Sequence, residues 1–373
     1  MKKMILLLTA FIFGYSVSAQ NAFTFKLYES INKKDDQKNV LFSPTSIMTA
    51  FAMVYEGAES GTKKEFESVF NFKPDNKDFI EQLAELKKVA EISNSIWILN
   101  NYKILPSYLQ KMKALYNASP YNCAFLSDPA GSAKKINDWI STNTKGLIQK
   151  MVTPADVQDF KMALVNAIYF KQKWKIIFDK ERNQKAPFYN LDGTETEVEL
   201  MHNSQRYLAA ETAKEKIISI PYEDDKTSML IIMPNEMKKY KLDNSTYNQL
   251  TANLYNQEVN LHLPKFTFET PTFELKELLV DCGLKTAFSD GADFSGMRKE
   301  RDLKIGTALH KAKIIVNEEG TEAAAATVVG MVQTTSVSTP RAPMQMRVDK
   351  PFFYFIKDNT TGSILFMGRM NSL

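Results

Sequence analysis

The side chains that carry most hydrolytic, thiol and metal chemistry are scarce in this chain: three histidines, His202, His262 and His310, and two cysteines, Cys123 and Cys282. None of their spacings is that of a zinc motif, and no G-x-S-x-G turn presents a serine for a histidine to activate. A hydrolase built on a serine and His310 is therefore a weak reading, and no metal or cofactor is implied. Cys123 stands in an apolar strand-like run and Cys282 at the end of a helical one, so two separate buried thiols are expected rather than a disulfide.

The segment with most to say is Glu318-Glu319-Gly320-Thr321-Glu322-Ala323-Ala324-Ala325-Ala326-Thr327. Four alanines after a threonine favour a helix. Yet Ile314 to Val316 before them and Val328 to Ser338 after them are rich in β-branched residues without helical period. One reading is an exposed loop with a helical turn. In the other, the segment becomes a strand, with Thr321, Ala323, Ala325, Thr327 and Val329 on one face. Such small side chains enter a packed sheet without the cost of roughly 1–3 kcal/mol that each misfit brings. A stretch able to be loop or central strand is a candidate switch.

The elements that must hold this segment come in two blocks. Helical spacing runs through Ala22–Ile31, then from Ser43-Pro44 through Val54, with Ser43 as cap and Pro44 at the first position. It returns at Lys63–Phe70, Asp78–Val89, Pro106–Tyr116 and Ser132–Thr142. Strand patterns occupy Glu91–Leu99, Lys161–Phe170, Ser228–Met233, Val259–Phe268, Leu303–Val316 and Phe352–Phe366. Helices in front and strands behind predict an α+β chain, not a βαβ repeat. Without an internal repeat or a Gly/Ser linker, 20–373 reads as a single domain. Residues 1–19 read as an export signal, with Lys2 and Lys3, an apolar run from Met4 to Phe13, and Val17-Ser18-Ala19 before the cut. The expected product is exported and soluble; periplasm, surface and medium are equally open. No later run is long enough for a membrane span. The formal charge of +4 loses the two signal lysines and forms no long block, so nucleic acid is not an implied partner.

The segment Val316 to Thr327 closely resembles the hinge of the inhibitory serpins, and further stretches agree in the family's order along nearly all of 20–373. They are Asn39-Val40-Leu41-Phe42-Ser43-Pro44-Thr45-Ser46-Ile47, Leu164-Val165-Asn166-Ala167-Ile168-Tyr169-Phe170 with Trp174, and Leu263-Pro264-Lys265-Phe266. Ala292-Asp293-Phe294-Ser295-Gly296, His310-Lys311-Ala312, Lys350-Pro351-Phe352 and Leu365-Phe366-Met367-Gly368-Arg369 complete the series. The resemblance implies helices packed around three β-sheets, a large central sheet, and an exposed reactive-centre loop over about 318–349. It also implies a monomer without cofactor that acts on a target peptidase and is not an enzyme. Counted from Glu318, the bond offered to the peptidase is Thr334–Thr335, with Met331 and Val332 as nearby bait. Ser43, Ser46, Asn166 and His310 would form a polar latch, the shutter, that parts when the loop enters the sheet. Trp174 would stand at the breach, where entry begins. Read alone, Ser43 is only a helix cap, Trp174 core filling, and His310 a satisfied buried imidazole.

Small or apolar bait, and no Lys or Arg between Gly320 and Pro340, point to elastase-like or subtilisin-like peptidases, with papain-like enzymes as a further class. Three features stand apart from the family pattern or from its known partners. Ile315 replaces the polar residue many members carry, and the exit side of the loop is long and includes Arg341. The lysines Lys63, Lys64, Lys73, Lys77, Lys87 and Lys88 are mixed with acids, so a solvated face is expected there rather than a polysaccharide site. The rival function is a serpin that no longer inhibits and serves as a binding or carrier protein. Bulky, charged or proline residues at the inward hinge positions would mark it, and none is present.

Overall fold

A computed structural model of the chain describes residues 20–73, 77–86, 91–118, 120–158, 160–321 and 342–373. The expected signal (1–19), most of the hinge and the whole bait region (322–341) lie outside the described residues.

The helices lie mostly in the first half, as their spacing predicts. They are α1 (20–34), then α2 (Pro44–Tyr55), α3 (Ser60–Phe70), α4 (Lys77–Leu86), α5 (Pro106–Lys111), α6 (Pro129–Asn143) and the short α7 (Pro154–Val157). Later come α8 (Asn244–Ala252) and α9 (Lys276–Asp281). Ser43 caps α2 through its side chain, which accepts the Ser46 N–H, and Pro44 opens the helix. All twelve residues of α2 are buried, as suits a helix without a polar stripe. At roughly 1.5–3 kcal/mol for each large side chain buried, Ile47, Phe51 and Val54 make α2 a central strut.

Strands β1 (Val40–Phe42), β6 (Gln184–Tyr189), β7 (Glu195–Glu211), β8 (Glu215–Pro221), β9 (Thr227–Pro234), β10 (Tyr255–Pro264), β16 (Met344–Arg347), β17 (Phe352–Asp358) and β18 (Ile364–Met370) form one sheet. Its order is β1-β18-β17-β9-β8-β7-β10-β16, with β6 on β7. A second sheet has the order β12-β13-β4-β2-β3, from β12 (Phe273–Glu274), β13 (Thr307–Lys311), β4 (Met162–Tyr169), β2 (Glu91–Leu99) and β3 (Tyr121–Cys123). The third, β11-β14-β15-β5, contains β11 (Phe266–Glu269), β14 (Lys313–Val316), β15 (Gly320–Thr321) and β5 (Gln172–Lys173).

The second and third sheets meet along shared strand lines, and this decides where the site lies. The single strand expected over Leu303–Val316 is two strands broken at Ala312, whose N–H and C=O both turn to Thr270. Below the break, β13 pairs directly and in parallel with β4, from Thr307↔Ala163 to Lys311↔Ala167. Above it, β14 and β5 stand apart with β15 between them. The central surface is closed below and forked above.

Several strands escape periodicity. Strand β7 is the longest of the described strands, and its start alternates exposed Glu195, Glu197 and Glu199 with only half-buried Thr196 and Val198, a face too weakly apolar to stand out as a strand. Cys123 in β3 and Cys282 after α9 are both free and buried, as expected. Burial raises both thiols, Cys282 to about 11, which keeps them protonated and poorly nucleophilic.

Candidate functional site: a docked hinge above a polar latch

Directly below the fork, His310 of β13 is completely buried and faces Asn166 of β4, its partner in register. The backbone N–H of Ser43 donates to His310 Nε2 at 3.1 Å. A backbone amide can only donate, so Nε2 is the acceptor and the proton sits on Nδ1. Nδ1 in turn donates to Asn166 Oδ1 at 2.6 Å. The Asn166 amide nitrogen is shared among the Ser46 carbonyl at 2.8 Å, the Ser46 hydroxyl and Asn94 Oδ1. Ser43 Oγ donates to the Leu365 carbonyl at 2.6 Å while accepting from Ser46 N–H. The four residues singled out as a latch thus form one connected buried network that ties the α2 N-terminus to the β4–β13 seam. Burial pushes the His310 imidazolium down to about 3, so the ring is neutral.

Inside the fork, Gly320 pairs with Lys173, and Thr321 pairs with both Gln172 and Val316. Thr321 is therefore already in the sheet and 1% exposed. Gly320 passes so close to β5 that a Cβ would overlap the Gln172 carbonyl oxygen and crowd the Lys173 Cα, so only glycine fits. Trp174 is buried beside the turn that leads in. Its indole N–H donates to the Asn317 carbonyl at 2.8 Å and its backbone N–H to the Glu319 carbonyl at 2.9 Å. The turn closes on Asn317 Oδ1, which accepts the N–H groups of Glu319 and Gly320.

Glu318 is buried, with Lys265 Nζ 3.0 Å and Asn183 Nδ2 2.6 Å from its Oε1. Burial raises this carboxyl, but its own backbone amide, Asn183 and Lys265 outweigh that and hold it below the usual carboxylate range. Lys265 also reaches Glu199 at 2.7 Å. The Tyr222 hydroxyl lies 2.7 Å from Thr321 Oγ1, and its ring stacks on Trp174 with centroids 4.7 Å apart.

Asn94, Asn183, Lys265 and Tyr222 are functional candidates that sequence reasoning misses. Asn94 left a weak signal, a polar side chain within a strand run, and Lys265 lay within the stretch 263–266 that carries the resemblance but without a role of its own. Asn183 and Tyr222 left none, and the hinge partners of Asn183, Tyr222 and Lys265 are 53 to 135 positions away. His202 and His262 stack on one another across β7 and β10, centroids 4.5 Å apart, and belong to the first sheet rather than the latch. Among the described residues, no group of three or more His, Cys, Asp or Glu side chains could hold a metal. No described helix is long and apolar enough to cross a membrane. Ile315 is half-buried and pairs with Thr267, away from the fork's interior. The reactive bond Thr334–Thr335, Met331, Val332 and hinge residues Glu322 to Thr327 lie outside the described residues.

Residues 18–373 match a family model described as Serpin, serine protease inhibitor. An uncharacterized serpin-like protein of Methanosarcina mazei is 37% identical over 96% of this chain and 87% of its own length. The leukocyte elastase inhibitor of Xenopus tropicalis is 33% identical over 95% of this chain and 98% of its own. The crystal structure of human thyroxine-binding globulin, complexed with thyroxine, superposes with a TM-score of 0.86, covering 96% of this chain and 99% of that one at 28% identity.

Proposed function

From the premise that this chain belongs to the serpin family, we propose that it is an exported peptidase inhibitor that works as a suicide substrate. The peptidase serine attacks the Thr334 carbonyl. The Thr334–Thr335 bond breaks, the Thr335 amine leaves with a proton from the enzyme's imidazolium, and an ester to Thr334 remains. The cut loop then extends β15 downward as a new central strand, about 46 Å for fourteen residues at about 3.3 Å each. The tethered enzyme travels with it and is distorted before water can release it; displacement of its triad and oxyanion donors stops deacylation.

The observation that carries this reading is the fork. The first inward hinge residue, Thr321, is already paired between β14 and β5, and the seam beneath, a parallel ladder of β4 with β13, carries near its upper end the latch of side-chain hydrogen bonds on His310 and Asn166. Such bonds part and re-form at a net cost of about 1 kcal/mol each. Export rests on the signal pattern of residues 1–19. The bait chemistry supports elastase-like or subtilisin-like serine peptidases, with papain-like cysteine peptidases as a further class. Cleavage after Arg341 would leave too much slack behind the hinge and is expected to give a cut product without trapping.

The alternative is a non-inhibitory binding or carrier protein; thyroxine-binding globulin, a structural neighbour, is named for binding a ligand. The small inward residues Thr321, Ala323, Ala325 and Thr327 favour inhibition instead. The deciding experiment mixes residues 20–373 with an elastase-like and a trypsin-like peptidase, followed by denaturing gels and mass spectrometry. A complex that survives denaturation, with a released peptide starting at Thr335, is expected from the elastase-like enzyme. Clean cleavage without complex by every peptidase tried would favour the carrier.

A further inference from the structure

Whether a hinge enters a sheet productively depends on its register. A slip of one residue puts Gly320 or Glu322 where Thr321 belongs and turns every later side chain to the wrong face. In β15 the ladder is only two residues long, too short to choose a register by backbone pairing alone, since every peptide offers the same N–H and C=O groups. The close approach of Gly320 to β5 already disfavours any residue with a Cβ in its slot; a second contact can read the Thr321 side chain itself.

The Tyr222 side chain is built to do so. Its ring stacks on Trp174 at an interplanar angle of 9° and meets the edge of Phe170 at 5.1 Å. Its backbone bridges Trp174, donates to the Thr227 carbonyl at 3.1 Å, and sits between Lys175 N–H→Pro221 O and Glu223 N–H→Lys173 O. The ring is fully buried, so its hydroxyl occupies one fixed point. The Thr321 hydroxyl is 2.7 Å from that point, and both groups are cut off from water. With no water at hand, each hydroxyl depends on the other; removing either leaves the second without its partner.

We propose that Tyr222 is a positioning residue that pins the hinge in register by accepting Thr321, and only a hydroxyl-bearing residue at 321, as the first strand residue in the fork. The pinned hinge is the seed from which the cut loop extends, a consequence that rests on the inhibitory reading above.

Three variants test the pin: Tyr222→Phe, Thr321→Val and the two combined. Both changes conserve shape, and Thr321→Val keeps a β-branched strand residue, so each protein is first checked for an unchanged thermal transition. Hydrogen–deuterium exchange on the uncut proteins, with no peptidase present, reports docking at 172–174 and 316–321. Each single variant should exchange there about tenfold faster, because one buried hydroxyl is orphaned, and the double variant should return to within about threefold of the parent. Exchange in the singles equal to the parent's, or a double variant as fast as or faster than the singles, would overturn the pin.

The same proteins, titrated against an elastase-like peptidase, report the consequence. The moles of inhibitor consumed per mole of enzyme trapped should rise in the singles and fall back in the double. The expected exchange pattern without covalent complex in any protein, the parent included, would leave the pin standing and remove the inhibitory reading.

Discussion

His310 illustrates how one buried ring makes stability depend on pH. An unfolded histidine titrates near 6.5, whereas burial holds His310 near about 3. The unfolded chain therefore binds a proton that the folded one refuses. The latch is fully stable above about pH 6.5 and loses up to about 1.4 kcal/mol per pH unit from this group as pH falls towards 3. His310→Gln should flatten that slope between pH 6.5 and 4, read from urea midpoints at fixed salt; an equally steep slope would mean that other groups cause it. Glu318 offers a second local test. Lys265→Ala leaves the Glu318 carboxylate buried with Asn183 and without its cation, at an expected cost of about 1–3 kcal/mol. Denaturant unfolding of Lys265→Ala, beside a Lys265→Arg control, measures it; equal loss in both would show that geometry and not charge matters.

Among the elements, the fork and β15 define what the rest of the hinge must do. Thr321 pairs with Val316 on one side and Gln172 on the other, so in the proposed inserted form, continuing downward two residues at a time would place Ala323 beside Ile314 and Ala325 beside Ala312. Thr327 would then arrive between His310 and Asn166, the pair that closes the seam. Its neighbours in the register, Ile314, Ala312 and His310, are all buried, so the inserted side chains at 323, 325 and 327 must be small and uncharged. The hydroxyl of Thr327 would meet the two groups whose mutual bond it displaces. Thr327→Lys, buried there without a partner, should let the peptidase cut the loop yet convert the inhibitor into a substrate. Trapping by Thr327→Lys at the parent's ratio of inhibitor to enzyme would exclude this register.

For the whole molecule, the proposed mechanism requires that a sheet closed below and forked above store the free energy that insertion would release. Each ladder hydrogen bond contributes on the order of 1 kcal/mol net, and a central strand bonds on both sides. On the proposed mechanism the gain rivals the roughly 5–15 kcal/mol that stabilises an ordinary domain, which would make the uncut form a kinetically trapped state. Cutting the loop with a peptidase that is not trapped should raise the thermal transition by more than 20 °C, on the order of several kcal/mol at about 2–4 °C per kcal/mol. Calorimetry of cut and uncut protein decides it; equal transitions would mean that the loop does not enter the sheet.

The amino-acid order alone was enough for the α+β class, the buried helix behind Ser43-Pro44, the small-residue hinge and the family resemblance, because propensity, capping and alternation act within a few residues of each other. It also singled out Ser43, Ser46, Asn166 and His310, though only through that resemblance; their meeting depends on bonds that span 120 to 322 positions. The break at Ala312, the fork, and the choice of Thr321 as a residue already docked belong to the tertiary structure. They arise where two strand lines diverge and a third chain segment finds room, and no local pattern encodes that distance. Lys265, Asn94 and Tyr222 are legible for the same reason only in three dimensions. Each is an ordinary residue of its own strand or turn until folding brings the hinge or the latch against it.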